Sequence, residues 1–174
     1  MKELKEYVIS IPDFPKKGII FRDVTGVLED PDGYRAAVDA LAEKLEGVEF
    51  DMLAGVEARG FLFASTLAYN MHKGVLLIRK KGKLPRKTLE KSYDLEYGSA
   101  TIEIHEESVK PGMKVVLVDD LLATGGSLSA AASLVEMAGG EVVKIIALME
   151  LVDLKGREVL GKYDFESILK YEGE

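Results

Sequence analysis

Val115-Val116-Leu117-Val118-Asp119-Asp120-Leu121-Leu122-Ala123-Thr124-Gly125-Gly126-Ser127 is the stretch that decides how this chain folds. Four successive apolar residues suit a strand covered on both faces, as in a parallel sheet. They run into two carboxylates and a loop of small residues, and residues 127–138 then read as a helix. In open parallel sheets, ligands sit beyond the carboxyl ends of the strands. Glycines let a backbone approach an anion closely, the N–H groups of a helix start point at it, and Thr124 and Ser127 add hydroxyls. A tight turn capped by its own aspartates is the plainer account. Two carboxylates beside an anion loop, however, need something between them, and a sugar hydroxyl pair or a magnesium ion would serve. The stretch is neither a Walker A loop nor a Rossmann Gly-x-Gly-x-x-Gly.

On either side the pattern continues. Pro111 and Gly112 turn the chain into the strand 114–118, and Gly139 and Gly140 turn it into another, 142–148. Upstream, residues 50–56 read as a buried strand, 61–71 as a helix and 75–78 as the next strand, which is a crossover unit of a parallel sheet. Tyr34, Val38, Leu41, Ala42 and Leu45 recur at helical spacing, with Asp32 as the expected cap. Residues 1–12 form a short helix or arm ahead of Pro12 and Pro15. A short helix around 154–160 and an edge strand around 165–169 close the chain. Residues 80–105 read as an extended loop and ribbon outside the central sheet, with Ile102 and Ile104 inward and Thr101, Glu103 and His105 outward. Long loops of this kind are often lids. The expectation is one α/β domain over residues 1–174, a mostly parallel twisted sheet flanked by helices, with a flexible hood.

Composition sets the outer limits. At 174 residues the chain can hold one substantial core, and 47% hydrophobic content makes disorder a poor description. A net charge of -7 speaks against binding nucleic acid through its phosphates. There is no cysteine, and two histidines, His72 and His105, stand far apart, so a histidine-rich zinc site is unsupported. Residues 1–10 lack a signal-like apolar region and no run approaches the roughly 18 residues of a membrane span, so a cytoplasmic protein is expected.

Other residues carry local signals. Glu57-Ala58-Arg59-Gly60 follows the first core strand, and a backbone turn with one guanidinium suits a diphosphate. An arginine at a helix start sits against the dipole, which argues for a purpose. Arg79, Lys80 and Lys83 form a basic run at the end of a core strand, placed to meet an anion when a lid closes. Isolated residues such as Glu96 and Phe21 are ordinarily surface and core, respectively.

The 115–127 stretch resembles the ribose-phosphate signature of type I phosphoribosyltransferases, and its fuller form, from Val118 to Gly126, looks like the adenine-specific version. Asp13-Phe14-Pro15 with Gly18-Ile19-Ile20-Phe21-Arg22-Asp23, then Gly82-Lys83-Leu84-Pro85, and Tyr93 with Leu95-Glu96-Tyr97-Gly98 agree in order and spacing. The resemblance implies transfer of a phosphoribosyl group from 5-phosphoribosyl-1-pyrophosphate to adenine, giving AMP and pyrophosphate in purine salvage. It implies that Ala123, Thr124, Gly125, Gly126 and Ser127 cradle the 5-phosphate while Asp119 and Asp120 hold the ribose hydroxyls. Glu57, Ala58, Arg59, Gly60, Arg79, Lys80 and Lys83 would take the pyrophosphate. Phe21 would stack on adenine, with the Ile20 C=O and Arg22 N–H at its edge and Leu121 on its other face, within a base-binding segment of about 1–33. Glu96 becomes a candidate acid/base, Mg2+ is expected mainly on substrate and water, and a homodimer is expected. After Pro85 the family pattern continues Gly-Pro where this chain has Arg86-Lys87.

Overall fold

The computed structural model of the chain describes residues 2–95 and 97–173. A single 3-10 turn, Leu4–Tyr7, leads into β1 (Ile9–Pro12) and β2 (Ile20–Asp23), then α1 (Thr25–Glu29) and α2 (Pro31–Glu43). There follow β3 (Met52–Val56), α3 (Arg59–Met71), β4 (Gly74–Lys80), β5 (Thr88–Leu95), β6 (Gly98–His105), β7 (Lys114–Leu122), α4 (Gly126–Met137) and β8 (Glu141–Leu151). A 3-10 turn at Val152–Leu154, α5 (Gly156–Leu160) and β9 (Phe165–Tyr171) complete the order. β1 and β2 pair as a separate antiparallel hairpin.

The other seven strands make one sheet in the order β5-β6-β4-β3-β7-β8-β9, in which β4, β3, β7, β8 and β9 are parallel. This is the expected mostly parallel α/β fold. Val115, Val116, Leu117 and Val118 are all fully buried because both faces of β7 are covered. Val116 and Val118 join the cluster holding Leu41, Leu53, Phe63 and Leu67 from α2, β3 and α3. Val115 and Leu117 join the opposite one, with Leu128, Leu134 and Ile145. Each such aliphatic side chain contributes about 1.5–3 kcal/mol through burial.

Four expectations are corrected. The cap of α2 is Asp30, not Asp32: its Oδ1 accepts from the N–H groups of Asp32 (2.9 Å) and Gly33 (3.1 Å), with Pro31 at the first helical position. β7 runs on to Leu122, so Asp119 and Asp120 belong to the strand, with Asp119 opposite Ala147 and Leu122 opposite Glu150. The ribbon from 88 to 105 is not outside the sheet. β6 pairs with the end of β4, Arg79 to Glu103 and Lys80 to Ile102, because Ile102 and Ile104 enter the second apolar cluster.

Glu103 is also buried rather than outward. The loop before β5 folds over its face, and Glu103 Oε1 accepts from the N–H groups of Lys83 (3.1 Å) and Leu84 (2.9 Å). Strand alternation alone could not show that the outer face would be covered by this loop.

Candidate functional site

A cleft of about 460 Å³ opens at the carboxyl ends of β3, β4 and β7. Its walls come from Glu57, Ala58 and Arg59 after β3, Lys80 at the end of β4, Tyr93 and Ile102 from the hairpin, and residues 119–125 with Ser127. This is the place a parallel sheet reserves for a ligand.

The loop between β7 and α4 is shaped by what lies behind it. Gly125 has φ +88°, and a Cβ there would stand 2.9 Å from the Gly156 carbonyl oxygen and 3.1 Å from Val159 Cβ. Its glycine is therefore required twice, by conformation and by contact with α5. A Cβ on Gly126 would meet Tyr93 at 3.2 Å. Among the described residues no side chain caps the start of α4, which leaves the N–H groups of its first turn open to an outside acceptor.

Beside the loop, Asp119 and Asp120 are buried, at 8% and 4% exposure. Asp119 Oδ1 accepts from the Asp120 N–H at 2.8 Å. Burial, and next the charge of Asp120, pushes the Asp119 carboxyl well above the usual carboxylate range. Asp120 Oδ2 accepts from Arg59 Nε at 2.5 Å, and the arginine side chain is half exposed. The two acids therefore differ in setting: Asp120 is ion-paired with Arg59, and Asp119 is buried beside it.

Glu57 and Arg79 are braces. Glu57 Oε2 accepts from the Lys80 N–H at 2.9 Å and from Arg79 Nε at 3.2 Å. Burial raises the Glu57 pKa, but the Lys80 N–H and the Arg79 guanidinium outweigh it and hold the carboxyl below its ordinary value. The Glu57–Ala58 peptide is cis. Lys80 lines the cleft, whereas Arg79 and Lys83 do not. Gly60 packs beneath the acids: a Cβ there would stand 2.9 Å from the Val118 carbonyl oxygen and 3.0 Å from Asp119 Oδ1. Arg86 and Lys87, the departure in the hood, pair with Glu107 (2.5 Å) and Glu106 (3.0 Å), exposed contacts of small energetic weight.

The segment expected to hold the base lies in β2. Phe21 meets Phe14 edge-on at 5.3 Å, and Arg22 donates to Ser10 Oγ at 2.7 Å and stacks over the Tyr171 ring at 4.4 Å. Ile20, Phe21 and Arg22 are half-buried and do not line the cleft, but Leu121 does. Val24, just after β2, lies in the same apolar cluster that Leu121 packs against. Lys16 Nζ approaches the Tyr97 ring at 6.0 Å, which brings the hairpin tip to the N-terminal segment. Glu96 lies outside the described residues.

Residues 24–169 match the phosphoribosyl transferase domain. An adenine phosphoribosyltransferase of Agathobacter rectalis is 56% identical over 174 residues, covering 100% of both chains. One from Clostridium tetani is 48% identical over 170 residues, covering 98% of this chain and 99% of that protein. The crystal structure of the Thermoanaerobacter pseudethanolicus enzyme superposes with a TM-score of 0.93 at 50% identity, over 97% of this chain and 98% of that one. This chain belongs to the adenine phosphoribosyltransferase family. The Saccharomyces cerevisiae adenine phosphoribosyltransferase, solved with an imino-altritol bisphosphate and adenine, superposes with a TM-score of 0.90 at 38% identity, over 95% and 96% of the two chains.

Within this adenine phosphoribosyltransferase fold the structure gathers Asp119, Asp120, Leu121, Ala123, Thr124, Gly125, Ser127, Glu57, Ala58, Arg59 and Lys80 around one cleft. It leaves Gly60, Gly126, Arg79 and Lys83 in supporting positions and the β2 segment in its own hairpin. Tyr93, which the sequence marks only as part of a motif, lines the cleft. Burial, and then the charge of Asp119, raises its phenol pKa. Its register, opposite Ala100, is the signal that places it, and that register needs the hairpin pairing.

Proposed function

We propose that this cleft binds 5-phosphoribosyl-1-pyrophosphate with its 5-phosphate on residues 123–127, its ribose hydroxyls against Asp119 and Asp120, and its diphosphate near Ala58, Arg59 and Lys80. The chain transfers the phosphoribosyl group to adenine, giving AMP and pyrophosphate in purine salvage. In that reaction N9 of adenine forms a bond to C1 of the ribose, the bond from C1 to the diphosphate oxygen breaks, and N9 gives up its proton. The observation that carries the residue assignment is the single cleft uniting an uncapped helix start, two buried carboxylates and a half-exposed guanidinium.

Anchoring the sugar at both ends leaves C1 facing the base, which turns the encounter into a positioned one. Asp119 and Asp120 favour the positive charge that develops on the ribose ring, and Arg59 and Lys80 favour the negative charge on the departing diphosphate. Glu96, from its place in the hood motif, is the proposed group for the proton of N9. Phe21 and Leu121 enclose the adenine ring, with the Ile20 C=O and Arg22 N–H reading its edge. The adenine held by the Saccharomyces relative supports that choice of base.

A magnesium ion fits this donor set as one carried by the substrate. Asp120 is tied to Arg59 and Glu57 to Arg79 and Lys80, and the described residues hold no group of three acidic or histidine side chains for a metal. When bound, it would neutralise charge on the diphosphate. A homodimer is supported by exposed Leu62 and Tyr69, seven residues apart on α3, and by exposed Leu77 on β4. No described helix is long and apolar enough to cross a membrane, and a cytoplasmic setting suits the substrates.

The test is product formation from 5-phosphoribosyl-1-pyrophosphate and magnesium with adenine, hypoxanthine, guanine or xanthine in separate reactions. AMP from adenine alone is expected. Product from another base overturns the Phe21 reading, and no product from any base overturns the assignment of the cleft.

A further inference from the structure

Behind the anion loop stands a polar cluster that does not line the cleft. Glu150, near the end of β8, is 4% exposed and lies opposite Leu122 of β7. Arg157 of α5 grips it with two bonds, Nε to Oε1 at 2.9 Å and Nη2 to Oε2 at 3.0 Å. The third guanidinium nitrogen donates to the Phe165 carbonyl oxygen at 3.0 Å, and the guanidinium stacks on the Phe165 ring at 4.8 Å. Ser167 of β9 donates to Glu150 Oε2 at 2.5 Å. One short helix is thereby fixed to two strands.

That helix in turn sets the loop. A Cβ on Gly156 would lie 2.5 Å from the Ala123 carbonyl oxygen and 2.8 Å from Leu122 Cγ, and Gly125 meets Gly156 and Val159 from the other side. Residues 122–125 therefore rest on α5 with no slack. α5 has only five residues, too few to hold a position by its own hydrogen bonds. A buried carboxylate gripped by a forked guanidinium is a poor device for stability alone, since apolar packing does as well or better. It is a good device for fixing an angle and a distance.

We infer that Glu150, Arg157 and Ser167 form a positioning clamp that sets the 5-phosphate loop through α5 and so tunes affinity for the phosphoribosyl substrate without touching it. The inference rests on the assignment of residues 123–127 to the 5-phosphate. Phosphate-binding N–H groups need placement to about 0.5 Å, and a 1 Å error costs on the order of 100-fold.

The experiment is calorimetric titration of the intact protein with ribose 5-phosphate, alongside KM for both substrates, kcat and the thermal midpoint. For Arg157→Met we expect roughly tenfold weaker ribose 5-phosphate binding and a matching rise in KM for 5-phosphoribosyl-1-pyrophosphate, with KM for adenine unchanged. Arg157→Lys, which keeps the charge and loses the fork, should recover part of the loss. Unchanged ribose 5-phosphate affinity in folded Arg157→Met overturns the clamp, as does an equal loss for both substrates. If Arg157→Met does not fold, Ser167→Ala decides: about threefold weaker binding supports the clamp and wild-type affinity overturns it. If the wild-type protein itself fails to bind ribose 5-phosphate, the loop assignment falls and the clamp falls with it.

Discussion

Arg59 Nε lies 2.5 Å from Asp120 Oδ2, tying the first residue of α3 to the end of β7 across the cleft. The cation expected to meet the diphosphate is therefore also the partner of a carboxylate expected to meet the ribose. Half of the arginine side chain is exposed, so the pair is screened and separable.

Asp120→Asn should release Arg59 for the diphosphate. Pyrophosphate as a product inhibitor should then bind up to about fivefold more tightly, the range of a screened ion pair near 1 kcal/mol. Turnover should fall, because the ribose loses an anionic acceptor. Inhibition constants for pyrophosphate in the two proteins check this, and an unchanged constant would mean that Arg59 does not serve both groups.

Asp119 works in the opposite sense from the braced glutamates. Its folded-state pKa is raised by burial and by Asp120, so it costs stability at neutral pH, and that cost shrinks as pH falls below the raised value and is gone below the ordinary carboxylate range. Asp119→Asn should raise the thermal midpoint at neutral pH by roughly 2–4 °C, with the gap closing on acidification. Activity should drop on the order of 100-fold. Parallel melting curves and assays across pH test both halves.

Glu103 holds the root of the hood. Burial raises its pKa, but the N–H groups of Leu84, Gly82 and Lys83 outweigh it and hold the carboxyl below its ordinary value. Its contribution is complete above the ordinary carboxylate range and is lost as pH falls through the lower folded-state value. Glu103→Ala should speed amide exchange at Lys83 and Leu84 at least about tenfold at neutral pH, since a buried hydrogen bond to a charged group contributes about 1.5–3 kcal/mol. Unchanged exchange would remove Glu103 from the account of the hood.

Phe21→Ala should raise KM for adenine by roughly 10- to 100-fold, the range of a lost base–aromatic stack, and leave KM for 5-phosphoribosyl-1-pyrophosphate within about twofold. Equal changes in both constants would show that Phe21 acts through the fold instead.

The central strand and its carboxylates were legible because Val115 to Val118 suit a strand buried on both faces, and Asp119 and Asp120 follow them directly. Other features were hidden for physical reasons. Asp30 and Asp32 are both credible caps until the start of the helix at Pro31 is known. Glu103 occupies an outward position in its strand, and only the folding of residues 82–84 over it makes a buried brace. Gly156 supports Ala123 from a distant part of the chain, a contact that no local pattern encodes. Tyr93 reaches the cleft through its register opposite Ala100 in the hairpin, which no local pattern in residues 80–105 fixes.

The most direct measurement is a crystal structure of the protein with 5-phosphoribosyl-1-pyrophosphate and magnesium in the absence of adenine. The account predicts the 5-phosphate among the backbone N–H groups of residues 123–127, ribose hydroxyls within hydrogen-bond reach of Asp119 and Asp120, and Arg59 drawn from Asp120 toward the diphosphate. A 5-phosphate seated on residues 57–60 or 79–83, with no sugar oxygen near the two aspartates, would contradict it.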